Sequence, residues 1–279
     1  MTADDEGTAG TGRRPMRLAA GRARDRGLPT RGTTAPDRLR RVDRWIVHVA
    51  APALRAANAP VVVDLGYGES AITTLQLARA LASLRDDIEV VGVENDRFRV
   101  TAAQPAAVAG VSFRYGSFDV DGLRPTVIRV MNVLRQYDEP AVGPAWNRLA
   151  SVLAPGGLVV EGTCDEQGRR GSWVTLDATG PIWFTVGTHL PSLSTPGDLA
   201  PRLPKALIHR NVRGERVHAF LAAADEAWAR TAPHAAFGPR QRWSAMCLLL
   251  REDGWPVRDG PRRWRLGELA LPWAAVAPG

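Results

Sequence analysis

The sequence predicts an α/β protein with a mostly parallel sheet, helices on both faces, an antiparallel hairpin at the sheet edge and a helical C-terminal extension. Three observations lead there. Between residues 60 and 162, short β-branched runs alternate with stretches of helical period, which implies parallel strands joined by crossover helices. Two further runs, Trp173 to Asp177 and Ile182 to Val186, are joined only by Ala178-Thr-Gly-Pro181, too short a link for a parallel crossover. Beyond residue 213, Val217, Phe220, Leu221, Ala224 and Trp228, and then Trp243, Met246, Cys247 and Leu250, fall on helical faces.

In chain order, residues 1–33 carry Gly, Thr, Ala and seven Arg with almost no large apolar side chain, so they are expected to stay disordered, burying too little to offset the entropy of ordering. Order is expected from Thr34, where Thr34-Ala-Pro-Asp37 reads as a capping box with Pro36 in the first turn. Leu39, Val42, Ile46 and Val49 continue a helix that Pro52 should end or kink. Val61 to Asp64 reads as a buried strand, and Ile72, Leu75, Ala78, Leu81 and Leu84 mark the next helix. Strands follow at Glu89 to Val93, Val111 to Tyr115 and Thr126 to Met131. Val142, Trp146, Leu149 and Leu153 form a helical face that ends at Pro155-Gly-Gly157, before a fifth strand from Leu158 to Glu161. Residues 190–213 are Pro-rich and loop-like, and Trp264 to Trp273 fits either a strand or an extended tail.

A chain of 279 residues holds one ordinary α/β domain with appendages. No apolar run approaches the roughly 18 residues of a membrane span, and the first thirty residues lack a signal peptide's apolar centre; a cytoplasmic protein with no membrane partner is the expectation. Cys164 and Cys247 are the only cysteines and lie far apart, so neither a disulfide framework nor a structural metal site is indicated. The formal charge of +7 is unevenly spread: residues 1–44 hold 11 Arg against 6 acidic residues, 45–199 hold 12 basic against 16 acidic, and 200–279 hold 13 against 7. Two readings of the basic ends stay open, solvated Arg from a composition rich in Ala, Gly and Pro, and an RNA footprint.

The stretch Val61-Val-Val-Asp-Leu-Gly-Tyr-Gly-Glu-Ser70 ends a buried strand in a carboxylate, turns on two glycines and starts a helix. Gly66 and Gly68 allow positive φ and close approach of a ligand to the backbone. Val90-Val-Gly-Val-Glu94 ends the next strand in a second carboxylate, suited to accepting paired hydrogen bonds from ribose hydroxyls. This pattern resembles class I S-adenosylmethionine-dependent methyltransferases, whose first motif is an acidic residue followed by Gly-x-Gly-x-Gly; here it reads Asp64-Leu-Gly66-Tyr67-Gly68-Glu-Ser70, with Ser in place of the third glycine. The resemblance covers about residues 60–162 and implies a Rossmann-like fold, S-adenosylmethionine as cofactor, Glu94 as ribose ligand with Asn95 beside it, and Ser117-Phe118 near the adenine. The chain is expected to divide into residues 34–189 as the cofactor-binding domain and 190–279 as a C-terminal helical extension covering the substrate site.

Gly66-Tyr-Gly68-Glu-Ser-Ala71 also satisfies the Gly-x-Gly-x-x-Ala of nicotinamide enzymes, against which stand Asp64 and Glu69, unfavourable beside a pyrophosphate. The rival from another class is a non-catalytic nucleic-acid-binding protein that keeps the fold. Asn132, at the end of the fourth strand, is the candidate there for a cofactor or substrate contact. Arg38 and Arg41 read as a solvated face or as ligands of a cofactor carboxylate, and Glu161, Asp165 and Glu166 as ordinary groups or a general base. Thr163-Cys164 resembles the Thr-Cys of RNA cytosine-5 methyltransferases, but their Pro-Cys place is Met131-Asn132 here. The expected reaction is methyl transfer to a small molecule or RNA; acceptor, catalytic base and oligomeric state are not readable from the sequence.

Overall fold

The computed structural model describes residues 35–279; the arm expected over residues 1–33, and Thr34 of the capping box, lie outside the described residues. Val61–Leu65 (β1), Glu89–Glu94 (β2), Val111–Tyr115 (β3), Val127–Met131 (β4) and Leu158–Cys164 (β5) pair in parallel. Arg170–Asp177 (β6), Gly180–Thr188 (β7) and Glu268–Pro272 (β8) continue the sheet antiparallel. The order β3-β2-β1-β4-β5-β6-β7-β8 runs outward from β1 in one direction and resumes at β4 in the other. This reversal opens a crevice at the carboxyl ends of β1 and β4.

Strand side chains alternate between two cores. On one face Val62, Val127, Val160 and Trp173 meet Trp45 and Ile46 of Arg40–Val49 (α1), Leu54 of Ala51–Ala56 (α2), Leu77 and Leu81 of Ile72–Leu81 (α3) and Ala103 of Arg97–Ala103 (α4). On the other, Val63, Ile128, Val174 and Phe184 meet Trp146 of Val142–Ser151 (α5), Leu207 of Lys205–Ile208 (α6), Phe220 and Trp228 of Arg216–Arg230 (α7), Trp243 and Met246 of Pro239–Glu252 (α8) and Trp264 of Pro261–Trp264 (α9). Apolar side chains on both strand faces are what a sheet covered on both sides requires.

The hairpin forms from the short link, but it lies one strand in from the edge. Leu269 and Leu271 of β8 point into the α7–α8 core and Ala270 into the α1 core, so the ambiguous C-terminal segment becomes an edge strand and the extension is not wholly helical. The loop expected over residues 190–213 contains 3₁₀ turns at Leu190–Ser192 and Pro196–Arg202 besides α6, kept short by its prolines. Pro52 sits in the first turn of α2 and separates it from α1. The capping box is corrected: α1 starts after Leu39 with no side-chain cap. Asp37 has φ 59°, unlike the helical backbone that the acidic residue of a capping box needs, and exchanges hydrogen bonds with Gln76 of α3 instead.

Arg129, at the middle of β4, is fully buried. Its Nε and Nη2 donate to the two oxygens of Asp64 at 2.9 and 2.5 Å, its Nη1 donates to Asp43 of α1, and Nη2 also reaches the Thr73 carbonyl at 3.0 Å. Thr74 Oγ1 donates to Asp64 Oδ2 at 2.7 Å. Burial pushes Asp43 up to about 6, although Arg129 pulls it down; burial lowers Arg129 less than Asp64 and Asp43 raise it. Arg129→Met leaves two buried carboxylates unpaired and is expected to cost about 3–5 kcal/mol, measured as a lower urea midpoint, with Asp43→Asn and Asp64→Asn added to it recovering part of the loss. An Arg129→Met protein as stable as wild type would show that the triad does not hold the fold.

Candidate functional site

The crevice is built from the turns after β1, β2, β3 and β4. Gly66 and Gly68 take φ 73° and 85°, a region disfavoured for side chains bearing Cβ. A Cβ on Gly66 would fall 2.4 Å from Val133 Cγ2, so the turns after β1 and β4 approach only because this residue is glycine. The Gly66 amide donates to the Val93 carbonyl at 2.7 Å, tying the turn to β2. Glu94, buried at the end of β2, accepts from the Gly68 amide on Oε2 and from the Asn95 amide on Oε1, each at 3.0 Å. Burial raises its pKa, while Arg99, 3.8 Å from Oε2, and the two amides pull it back.

Gly66, Gly68, Glu94 and Asn95 are thus brought together in one hydrogen-bonded unit. Phe118, from the turn after β3, meets Tyr137, from the turn after β4, edge-on at 5.7 Å. Asn132 takes φ 63°, a left-handed conformation that Asn tolerates better than most residues. Its Oδ1 accepts from the Cys164 amide at 3.0 Å and its Nδ2 donates to Cys164 Sγ at 3.4 Å, which stitches the ends of β4 and β5 together. Burial raises the Cys164 thiol above its usual range. Asp64 and Tyr67 turn away from the crevice: Asp64 into the Arg129 triad, and Tyr67 onto Phe113 at 5.3 Å with its hydroxyl donating to the Arg99 carbonyl.

The other candidates have protein partners. Arg38 Nε, just before α1, donates to the Asp165 carbonyl at 2.9 Å and Arg41 Nη1, within it, to the Gly168 carbonyl at 2.6 Å, so the start of α1 and the residues before it grip the β5–β6 turn. Asp165 caps that turn, accepting from the amides of Gln167, Arg169 and Arg170, and exposed Glu166 meets Arg202 at 3.4 Å. Glu161 points into the α5 core, where Oε2 accepts from Trp146 Nε1 at 3.2 Å. Among the described residues Oε1 has no partner. Glu161 sits in the middle of β5, three residues before the carboxyl end, buried and turned toward Trp146.

Sequence reasoning missed Arg129, Arg99 and Val133. An Arg inside Val127-Ile-Arg-Val-Met131 was the visible signal of the first, because a cation in a buried strand must find carboxylates. The contacts of Arg99 and Val133 carry no such signal; they depend on how turns meet.

No family model matches the chain and no curated protein matches it. Solved structures resemble it weakly. The CcbJ methyltransferase from Streptomyces caelestis is 22% identical over 55% of this chain and 65% of its own, with a TM-score of 0.34. The magnesium protoporphyrin IX methyltransferase ChlM from Synechocystis PCC 6803, solved with bound SAM, is 20% identical over 45% of this chain and 60% of its own, at 0.33. The plantazolicin methyltransferase BamL, in complex with a triazolic desmethylPZN analog and SAH, is 15% identical over 46% and 47%, at 0.35. This chain spans less than two thirds of each of them. Likenesses of that size leave the fold to be read from the strand order and the residues themselves.

Burial pushes Glu161 up to about 8, against the pull of the Trp146 hydrogen bond. Because the folded value lies above the unfolded one, its contribution to stability is full below the unfolded value near 4.5 and is lost as pH rises through about 8. Glu161→Gln, which stays neutral, is therefore expected to gain stability relative to wild type between pH 5 and 9, in urea midpoints taken across about that range. A difference that does not change with pH would mean that Glu161 is not held protonated.

Proposed function

We propose that this chain transfers a methyl group from S-adenosylmethionine to an acceptor, holding the cofactor's nucleoside at the ends of β1 and β2. One observation carries the reading. Glu94 lies beside the Gly66–Gly68 turn and, among the described residues, one N–H donates to each carboxylate oxygen; each oxygen has a further lone pair, so the carboxylate can accept from two neighbouring ribose hydroxyls. The residues fit a phosphate-free nucleoside. They do not suit a nicotinamide dinucleotide, because the Gly68 amide that a pyrophosphate would need already donates to Glu94, and the carboxylate itself repels phosphate.

S-adenosylmethionine, when bound, supplies a methyl group activated by a sulfonium, so the chain's task is alignment and exclusion of water. Glu94 and Asn95 are assigned the ribose and its neighbourhood, Phe118 and Tyr137 the adenine, and Gly66 and Gly68 the backbone against which the ligand lies. Asp64 acts through Arg129 as a positioning residue for the turn. Tyr67 contributes its backbone, its ring being packed on Phe113. Asn132 fixes the junction of β4 and β5 beside the crevice. In this reading residues 34–189 form the cofactor-binding part and residues 190–279 an extension on the acceptor side.

Isothermal titration is expected to give micromolar-range binding of S-adenosylmethionine and of its demethylated product, and none of NADP. Glu94→Ala is expected to weaken cofactor binding by about 2–3 kcal/mol, roughly 30- to 150-fold, with circular dichroism on the same sample checking that the turn's lost hydrogen bonds have not unfolded it. Unchanged affinity removes Glu94 from the site. NADP binding with no response to S-adenosylmethionine overturns the reading.

A further inference from the structure

The antiparallel strands bring a second surface to the same end of the sheet as the crevice. The register pairs Cys164 with Gly171, Arg170 with Thr188, and Gly187 with Glu268, so the end of β7 and the start of β8 lie alongside the carboxyl end of β5. Helix α1 runs past this end and lines it with guanidinium groups. Arg41 reaches the β5–β6 turn and passes 3.6 Å from where a Cβ on Gly187 would stand. Arg44 Nη2 lies 3.9 Å from Glu268 Oε1, and Arg263 pairs with the other oxygen of that carboxylate. Beyond them Arg258 lies over the Trp183 ring at 4.1 Å.

Charge along this track is not balanced. Arg40, Arg41, Arg44, Arg258 and Arg263 outnumber the carboxylates that face them, those of Asp165, Asp259 and Glu268. Burial first, then Arg44 and Arg40, hold the Arg41 guanidinium below its usual range. Arg44 is lowered likewise by burial, Arg40 and Arg263, with Glu268 opposing. An anion laid across the cluster relieves this repulsion. From Arg40 to His48 the helix rises about 12 Å, too long for one phosphate group and suited to a chain of them. Helix α1 buries Val42, Trp45 and Ile46 against the sheet and so cannot enter a duplex groove, whereas an unpaired strand can lie along it and offer a base to the crevice.

We propose that the methyl acceptor is RNA, bound as a single strand with its phosphate backbone along α1 and the β7–β8 end of the sheet. The word acceptor rests on the methyl-transfer reading; the basic track does not.

The test is fluorescence anisotropy of a labelled single-stranded RNA with the full chain. Affinity is expected to fall roughly 20- to 50-fold between about 50 and 200 mM salt, as release of three to four counterions implies. Arg40→Glu/Arg44→Glu is expected to lower affinity at low salt at least roughly tenfold and to flatten the salt dependence, with Arg40→Gln/Arg44→Gln giving a smaller loss in the same direction. The comparison is Arg148→Glu/Arg240→Glu, an equal charge change at exposed positions of α5 and α8 on the opposite face, expected to leave RNA affinity unchanged. Equal losses in the two Glu pairs would reduce the effect to net charge and overturn the proposal, as would a deoxy strand of the same sequence binding as tightly. Titration of S-adenosylmethionine into the same samples separates the two readings. Cofactor binding without RNA binding sinks the RNA acceptor alone, and RNA binding without cofactor binding sinks methyl transfer while leaving the basic track in place.

Discussion

The guanidinium of Arg129 is the constraint on which the rest of the molecule depends. A cation at the centre of a covered sheet costs several kcal/mol of hydration, recovered only when its donors are met by charge. Here Asp64 comes from β1, Asp43 from α1 and the Thr73 carbonyl from α3. An apolar residue at this position would let α1 slide or rotate on the sheet. The guanidinium fork, with fixed directions for its N–H groups, sets β1, β4, α1 and α3 relative to one another. Burial pushes the more weakly held Asp43 up to about 6 against the pull of Arg129, and the second carboxylate, Asp64, adds to the rise.

That anchoring reaches the crevice without any of its groups entering it. Asp64 stands two residues before Gly66, and Thr73 and Thr74 stand just beyond the end of the same turn, so the segment from Gly66 to Ala71 is tethered at both ends to Arg129. The turn then needs little of its own to hold shape, and its amides are free to be organised by Glu94. Gly66 adds a second constraint, because its missing Cβ is what allows Val133 to close against the turn. The crevice is therefore defined by backbone and by one carboxylate, which favours a ligand rich in hydroxyls and poor in phosphate.

How much of this was legible in the sequence follows from the range of each interaction. β3 was read to the residue, β1 was read one residue short, at Leu65, and β5 was read three residues short, where Gly162, Thr163 and Cys164 continue the ladder beyond the apolar run. Motif spacing placed Gly66, Gly68, Glu94 and Asn95 together, since two strand ends and a glycine turn are local objects that a parallel sheet must bring side by side. Asp64 was visible as a carboxylate, but its partner lies 65 residues away, and nothing local says that a strand-end carboxylate will turn inward. The capping box failed for a related reason: Gln76 of α3 outcompeted the helix for Asp37. The C-terminal strand stayed ambiguous because its partner, β7, is 80 or more residues earlier, and edge pairing leaves a weak pattern of its own.

The sheet order also explains why one end of this molecule holds two kinds of surface. Parallel strands with crossover helices place their loops at a reversal point and can build a narrow crevice, but they leave the neighbouring edge to be finished some other way. The hairpin and β8 finish it with antiparallel strands, whose alternate ends return to the crevice side and carry Arg170, His189, Arg263 and Glu268 there through short connections. Helix α1 spans both regions: Asp43 on its inner side serves the Arg129 triad, while Arg41 and Arg44 on its other side face β7 and β8. The same helix that fixes the turn against the parallel strands thus sets the distance between the carboxylate-lined crevice and the basic track. Asn132 and Cys164 sit at the seam between them. On the proposed readings, the crevice takes a ligand poor in phosphate and the basic track one rich in it, and this distribution of charge is compatible with holding both at once.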